Sequence, residues 1–295
     1  MNPDEAPALL TVDDLRISWP GSATDVVRGV SFQLRRGRVV GIVGESGSGK
    51  TLTCRAILGT LPDRFSISGG HVDLLGRDVT TLTPKDWRAL RGSVIAAVFQ
   101  DPASYLNPSI RVGKQVAEIL RVKGGLSRRA AKARAIELFR DVALRNPELV
   151  YAQYPHQLSG GMLQRVLIAS AVALNPQVLI ADEVTTALDV TVQSAVLDLL
   201  NDLRLRIGLS LVVVSHDLAV VAQLCDEILV LRDGEVVEHG PTEQILFAPT
   251  HEYTKLLVGE HERYGLERYL AAADEPDGSD LDTLQAGAEE TDRVS

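Results

Sequence analysis

Cysteine is nearly missing from this 295-residue chain. Its two copies, Cys54 and Cys225, stand far apart and outside any CxxC spacing, which rules out a disulfide framework. Both read as small buried hydrophobes rather than metal or redox groups. Long apolar runs are missing too: stretches such as 166–174 stop well short of the roughly 18 residues a membrane span needs, and Asn175-Pro176 closes that one. The opening segment MNPDEAPALL has no basic stretch followed by an apolar one, so no secretory signal is expected and a cytoplasmic chain is. There is no internal repeat, and no basic excess. Of the net charge of −9, residues 271–295 carry −7, with eight acidic side chains against Arg293, which leaves −2 for everything before them. A nearly neutral body gives no electrostatic reason to expect a nucleic-acid partner. The acidic tail, poor in large apolar residues, is expected to be disordered from about residue 271.

What the chain does contain is 45% hydrophobic residues, enough for a sizeable core in one large or two modest domains. LLTVDDLRISW and VVRGVSFQLRRG predict strands around the Pro20-Gly21-Ser22 turn. RVVGIVG is an unbroken β-branched run, the pattern of a strand buried on both faces of a parallel sheet. A glycine loop and a helix over 50–58 follow. SISGGHVDLLGRDV reads as a hairpin or a pair of short strands, Thr83-x-x-Asp86 as the cap of a short helix over 83–91, and SVIAAVFQ as a buried strand ending at Gln100. From 101 to 158 good helix formers dominate, which predicts a helical insertion. After Ser159 come a helix, the strand QVLIADE, a helix over 190–206, the strand LSLVVVSH, a helix from Asp217, and the strands EILVLRDG and EVVEHG. Such alternation predicts an α/β sheet with parallel core strands.

The segment GESGSGKT, 44–51, fits G-x-x-x-x-G-K-[ST] between a predicted buried strand and a predicted helix. Its glycines let backbone N–H groups of Gly47, Ser48, Gly49 and Lys50 surround phosphates, Lys50 would neutralise the β and γ phosphates, and Thr51 would ligate Mg²⁺. QVLIADE sets Asp182 and Glu183 at the carboxyl end of an apolar strand, where ligands sit in open α/β sheets. Standing alone, two such acids are a solvated turn. Beside the glycine loop, Asp182 is the candidate for holding Mg²⁺ through water and Glu183 for polarising the attacking water, with the two facing apart because adjacent strand residues do. His216 ends LVVVSH on the same edge, as a structural residue or a γ-phosphate sensor. Gln100 ends another strand and would reach Mg²⁺ or the water, or make only a strand-end hydrogen bond. A second glycine turn, Leu158-Ser159-Gly160-Gly161, leads into an apolar helix and is itself built to hold an anion.

Residues 44–51, Gln100, LSGGMLQR, VLIADE, TTALD and VVSHD occur in the order and spacing of an ABC-transporter ATPase, and the chain resembles that family from about residue 10 to 250. The resemblance implies an α/β fold: a P-loop NTPase core with a parallel sheet, an N-terminal antiparallel β subdomain and an inserted helical subdomain. It implies an ATP-binding domain over 1–258, with its helical part at about 101–175, and a C-terminal extension over 259–295. It implies ATP and Mg²⁺, with Gly44, Glu45, Ser46, Gly47, Ser48, Gly49, Lys50, Thr51 and Thr53 at the nucleotide, and a catalytic set of Lys50, Gln100, Glu183 and His216 beside the metal set of Thr51, Gln100 and Asp182. In that family the LSGG segment closes over ATP held by a partner chain, which assigns Ser159, Gly160 and Gly161 to the partner's γ-phosphate and Asp189 to the dimer interface. Trp19 falls where the family stacks an aromatic on adenine, a position that a core residue would also occupy. Two departures stand out: Val184 replaces a proline after Glu183, putting turnover rate in question, and Leu163 stands where arginine is common.

VFQDPASYLNP, YPHQLSGGM, ADEVTTALDVTVQ and PTEQILFAPTHEYTKLL look like the oligopeptide, dipeptide and nickel importer ATPases, and the segment 61–92 resembles the first of their two paralogous ATPases. That implies an ATP-hydrolysing subunit energising import of peptides, with nickel or metal-chelate uptake as the alternative. No cysteine follows Cys225, so the iron–sulfur extension of longer members is not expected. The implied partners are two membrane permease subunits, a second paralogous ATPase or a second copy of this chain, and indirectly an extracytoplasmic solute-binding protein. The implied place is the cytoplasmic face of the cell membrane, peripherally bound. A soluble, non-transport ABC ATPase is the remaining alternative. Such proteins typically carry coiled-coil insertions, zinc-binding cysteines or paired cassettes, features that the sequence does not show.

Overall fold

The computed structural model describes residues 7–21, 24–186 and 188–262. The expected acidic tail, and with it most of the expected extension, lies outside them. Strand β1 (Ala8–Ser18) pairs antiparallel with β2 (Val27–Arg35), from Ile17 opposite Val27 to Ala8 opposite Arg35. The chain then enters β3 (Val39–Val43), all of it buried, and α1 (Lys50–Ile57). Strand β4 (Ser66–Leu74) returns to the free edge of β1, giving a three-stranded sheet in the order β2-β1-β4.

Of the hairpin or pair of short strands expected over 66–79, the structure has one long strand followed by a tight reversal at Leu75-Gly76, where Leu74 and Arg77 exchange backbone hydrogen bonds, and Gly69-Gly70 lies inside the strand. Gly70 sits at φ +71° in a bulge opposite Asp14 and Leu15, where an added Cβ would fall 2.2 Å from the Asp14 carbonyl oxygen. Glycine there lets the strand continue past the irregularity rather than reverse. The chain folds back only afterwards, through a single bridge between Asp73 and Asp78.

Helix α2 (Pro84–Leu90) begins at the expected cap: Thr83 accepts from the Asp86 amide, and Asp86 accepts in return from the Thr83 backbone. Strand β5 (Ile95–Phe99) follows. Between it and β6 (Val178–Asp182) come five helices, α3 (Pro102–Tyr105), α4 (Val112–Val122), α5 (Arg128–Asp141), α6 (Pro147–Ala152) and α7 (Gly160–Val172). The chain continues through α8 (Val190–Ile207), β7 (Ser210–Ser215), α9 (Leu218–Leu224), β8 (Glu227–Arg232), β9 (Glu235–Pro241), α10 (Thr242–Phe247) and α11 (Glu252–Glu262).

The second sheet runs β5-β6-β7-β3-β8-β9, parallel throughout except for the edge strand β9. Alternation splits its side chains between two cores. Val39, Val43, Ala181 and Val213 face helices α4 to α9, while Val40, Ile42, Ile180 and Val212 face α1 and the antiparallel sheet. Each fully buried side chain of this size contributes about 1.5–3 kcal/mol. The register matters more for function: Phe99 pairs with Asp182, Asp182 with Val214, and Ser215 with Val43. Four neighbouring strands therefore end level, and the residues just beyond them are Gln100, Glu183, His216 and Gly44. Among the described residues, no helix is long and apolar enough to cross a membrane.

Candidate nucleotide site

Beyond β3 the backbone turns at Gly44, φ +149°, so close to β8 that a Cβ would lie 2.1 Å from the Leu231 carbonyl oxygen. Only glycine fits. The loop ends at Gly49, the N-cap of α1, which offers no side-chain cap, and the first turn has no acidic residue. The amide groups that open the helix are thus available to an anion. Lys50 is buried, and its Nζ donates to the carbonyls of Gly44 at 2.7 Å and Glu45 at 2.8 Å. Burial lowers its pKa, against which the Glu183 and Asp182 carboxylates work. Ser48 carries a buried hydroxyl with no hydrogen-bond partner, the kind of orphaned polar atom that a ligand satisfies. Thr53 is enclosed in α1, with its hydroxyl donated to the Gly49 carbonyl at 3.0 Å.

Thr51 Oγ1 donates to Asp182 Oδ1 at 3.4 Å, joining the start of α1 to the end of β6. Asp182 is 5% exposed, and burial raises its pKa. The Thr51 hydrogen bond opposes the shift, and the neighbouring Glu183 carboxylate adds to it. Glu183 does not face away from Asp182 as the pleat predicts. It lies past the strand, in the left-handed region at φ +51°, so the alternation of adjacent strand residues does not govern it, and both acids line one cavity. The Glu183 side chain accepts from Thr186 Oγ1 at 3.3 Å and lies 3.5 Å from His216 Nδ1. A strained non-glycine residue of this kind persists where the surroundings hold it, commonly at a functional site. Val184 is buried in the larger core, as is Leu163.

Two cavities meet here. One, of about 350 Å³, is lined by Ser46, Thr51, Gln100, Asp182 and Glu183 together with Arg55, Asp101, Ser104, Phe99 and Tyr105. The other, of about 520 Å³, is lined by Gly44, Glu45, Ser46, Glu183, His216, Leu257 and Glu260. Ser46 and Glu183 belong to both. Sequence reasoning missed Arg55, Tyr105, Leu257 and Glu260, since an arginine inside α1 or a leucine in α11 carries no motif.

The other candidates stand apart. Ser159 is the N-cap of α7, accepting from the Met162 amide, and a Cβ on Gly161 would press on Val192 at 2.7 Å. A Cβ on Gly160 would meet only Leu188, at 3.9 Å, so its own chain leaves room for a side chain there. Asp189 caps α8 through the Val192 amide at 3.0 Å. None of these residues lines either cavity. Neither does Trp19, which is 43% exposed.

A glycine loop backed by an uncapped helix, with a buried lysine resting on the loop's own carbonyls, is suited to binding a polyphosphate. The fold and site thus define a P-loop nucleotide-hydrolysing protein. The family model described as ABC transporter matches residues 27–186, and the chain belongs to that family as an ATP-binding, ATP-hydrolysing cassette. It is 45% identical over 249 residues to the oligopeptide transport ATP-binding protein OppD of Bacillus subtilis, covering 83% of this chain and 70% of that one. It is 42% identical over 268 residues to the probable D,D-dipeptide transport ATP-binding protein DdpD of Escherichia coli, covering 90% and 82%. Among solved structures it resembles a dimeric, post-hydrolysis ATP-binding cassette bound to ADP and Pi, with a TM-score of 0.69 and 28% identity over 79% of this chain and 98% of that one.

Proposed function

We propose that this chain is the ATP-hydrolysing subunit of a peptide importer, peripherally bound at the cytoplasmic face of the membrane. The observation that carries the reading is Glu183, held in a left-handed turn 3.5 Å from His216 and shared by both cavities beside the phosphate loop. Lys50 reaches the β and γ phosphates of ATP while keeping the Gly44 carbonyl, since an ammonium has three donors. Glu183 takes up proton density from the attacking water, and His216 and Gln100 orient the γ-phosphate and that water. Thr51 and Asp182 would hold Mg²⁺. The donors suit it, since two neighbouring oxygens leave the remaining positions to phosphate and water, as this ion prefers. When bound, Mg²⁺ neutralises charge that develops on the phosphate oxygens.

Trp19, exposed at the end of β1, supplies the adenine platform. Ser159, Gly160 and Gly161 meet the nucleotide of a second cassette, and Asp189 stands at the interface between the two. The open space over Gly160 supports this, because its own chain gives no reason for the missing side chain. ATP then closes the pair, since each nucleotide bridges two chains only in the closed state. A groove of about 820 Å³ lies between α4 and β5, lined by Leu58, Ile95, Ile110, Ile119, Val122 and Lys123 among others. With Val122 72% exposed at its rim, this groove would seat a membrane subunit. The cassette then spans 1–258, with the helical part over 101–175 carrying the motion. Uptake of labelled dipeptide by cells carrying Lys50→Ala in this chain tests the reading: loss of uptake supports it, and parental uptake contradicts it.

A further inference from the structure

One peptide group of the phosphate loop is gripped from both sides. Its carbonyl, from Gly44, accepts from Lys50 Nζ at 2.7 Å, and its N–H, from Glu45, donates to the Tyr253 hydroxyl at 3.1 Å. Tyr253 comes from α11, 208 residues further along the chain. Its ring is buried, with the Arg232 guanidinium 4.8 Å over the centroid, and burial raises its pKa so that the phenol stays protonated. The turn that starts α11 is anchored in its own right. Glu238, buried on β9, accepts from the Thr250 amide at 2.7 Å, the Thr250 hydroxyl at 2.8 Å and the His251 amide at 3.1 Å. Burial alone would raise the pKa of Glu238, but the hydrogen bonds from the 250–254 turn outweigh it and hold the carboxyl below the usual range. Leu257 and Glu260, four and seven residues beyond Tyr253 and so on the same helix face, line the cavity that contains Glu183 and His216.

We propose that Tyr253 is a positioning residue for ATP hydrolysis: through the Glu45 amide it fixes the tilt of the Gly44–Glu45 peptide, and with it the carbonyl on which Lys50 rests and the wall of the Glu183–His216 cavity. A peptide that follows glycine has an unusually free rotation, so a pin from outside the loop has something to restrain. Without the phenol oxygen, the Glu45 amide loses its acceptor and the carbonyl on the same plane turns with it. The inference rests on the roles proposed for Lys50 and Glu183 and adds the C-terminal helix to the machinery that sets their geometry.

The test uses the full-length chain. Tyr253→Phe keeps the ring, its burial and the Arg232 contact, and removes one hydrogen bond. The expected result is a fall in kcat of about fivefold, the factor that a typical net hydrogen bond represents. KM for ATP stays within about twofold, because the phosphate-binding amides lie further along the loop. Amide exchange over residues 43–47 quickens while the melting temperature falls by only about 2–4 °C, too little to change the folded fraction at assay temperature. Glu238→Gln, which weakens the anchor, gives a similar loss, and the double variant is no worse than the poorer single one, since both act through one link. Should Glu238→Gln fail to fold, the kcat and exchange measurements on Tyr253→Phe decide alone. Parental kcat in Tyr253→Phe, or a loss explained by a smaller folded fraction, overturns the inference while leaving the ATPase reading standing. All variants are measured in the assembly that contains the second cassette, and an inactive wild-type assembly overturns both.

Discussion

Glu183→Gln changes little except basicity. The replacement has the same shape, and its amide oxygen can accept the Thr186 hydroxyl now 3.3 Å from the carboxylate. The backbone bond from the Glu183 amide to the Val214 carbonyl, at 2.9 Å, is untouched. With the side chain 22% exposed, no buried charge is left unpaired and the fold should stay within about 0.5 kcal/mol of the parent. What disappears is the group that accepts the proton of the attacking water. General-base assistance is worth about 10²- to 10⁴-fold, so kcat should fall by at least about 10²-fold, or about 2.7 kcal/mol. Binding should survive, because the phosphate cradle consists of backbone amides and Lys50. Phosphate release at saturating ATP, paired with equilibrium binding of a fluorescent ATP analogue, measures both quantities. A variant that binds and turns over within about tenfold of the parent would refute the base assignment.

Gly70→Ala should destabilise the chain by about 2 kcal/mol or more in urea unfolding, since its Cβ would fall 2.2 Å from a backbone carbonyl at a left-handed position. Without nucleotide, Asp182→Asn should be more stable than the parent at pH 7. The Asp182 pKa is raised in the fold, so its contribution to stability is fully present below the ordinary carboxylate range and is lost as pH rises through the raised value. The advantage of the variant should therefore vanish near pH 4, and thermal melts across that window check it. Cys54 and Cys225 are both buried, and burial raises both thiols. A thiol reagent should find neither in the native chain and both in guanidinium.

The P-loop was legible because three local signals agree there: an unbroken β-branched strand, glycines, and a helix former at Lys50. The capped helix α2 was legible for a similar reason, since Thr83 and Asp86 meet across one turn. Local patterning found a reversal within 66–79, which falls at Leu75-Gly76, but not the bulge at Gly70, which only the neighbouring strand β1 decides. The strand-end acids were found, but the left-handed turn of Glu183 was not, because nothing in ADEV signals a positive φ. Tyr253 was visible only as part of a resemblance. Its bond to Glu45 joins residues 208 apart, and no window of sequence contains both.

The most direct measurement of the central claim is to tag this chain, extract it gently from native membranes and identify its companions by mass spectrometry. Two permease chains with a second ATPase, or with a second copy of this one, are the predicted result, joined by a solute-binding protein in the intact assembly. Recovery from the soluble fraction with DNA or ribosomes, and without any permease, would contradict it.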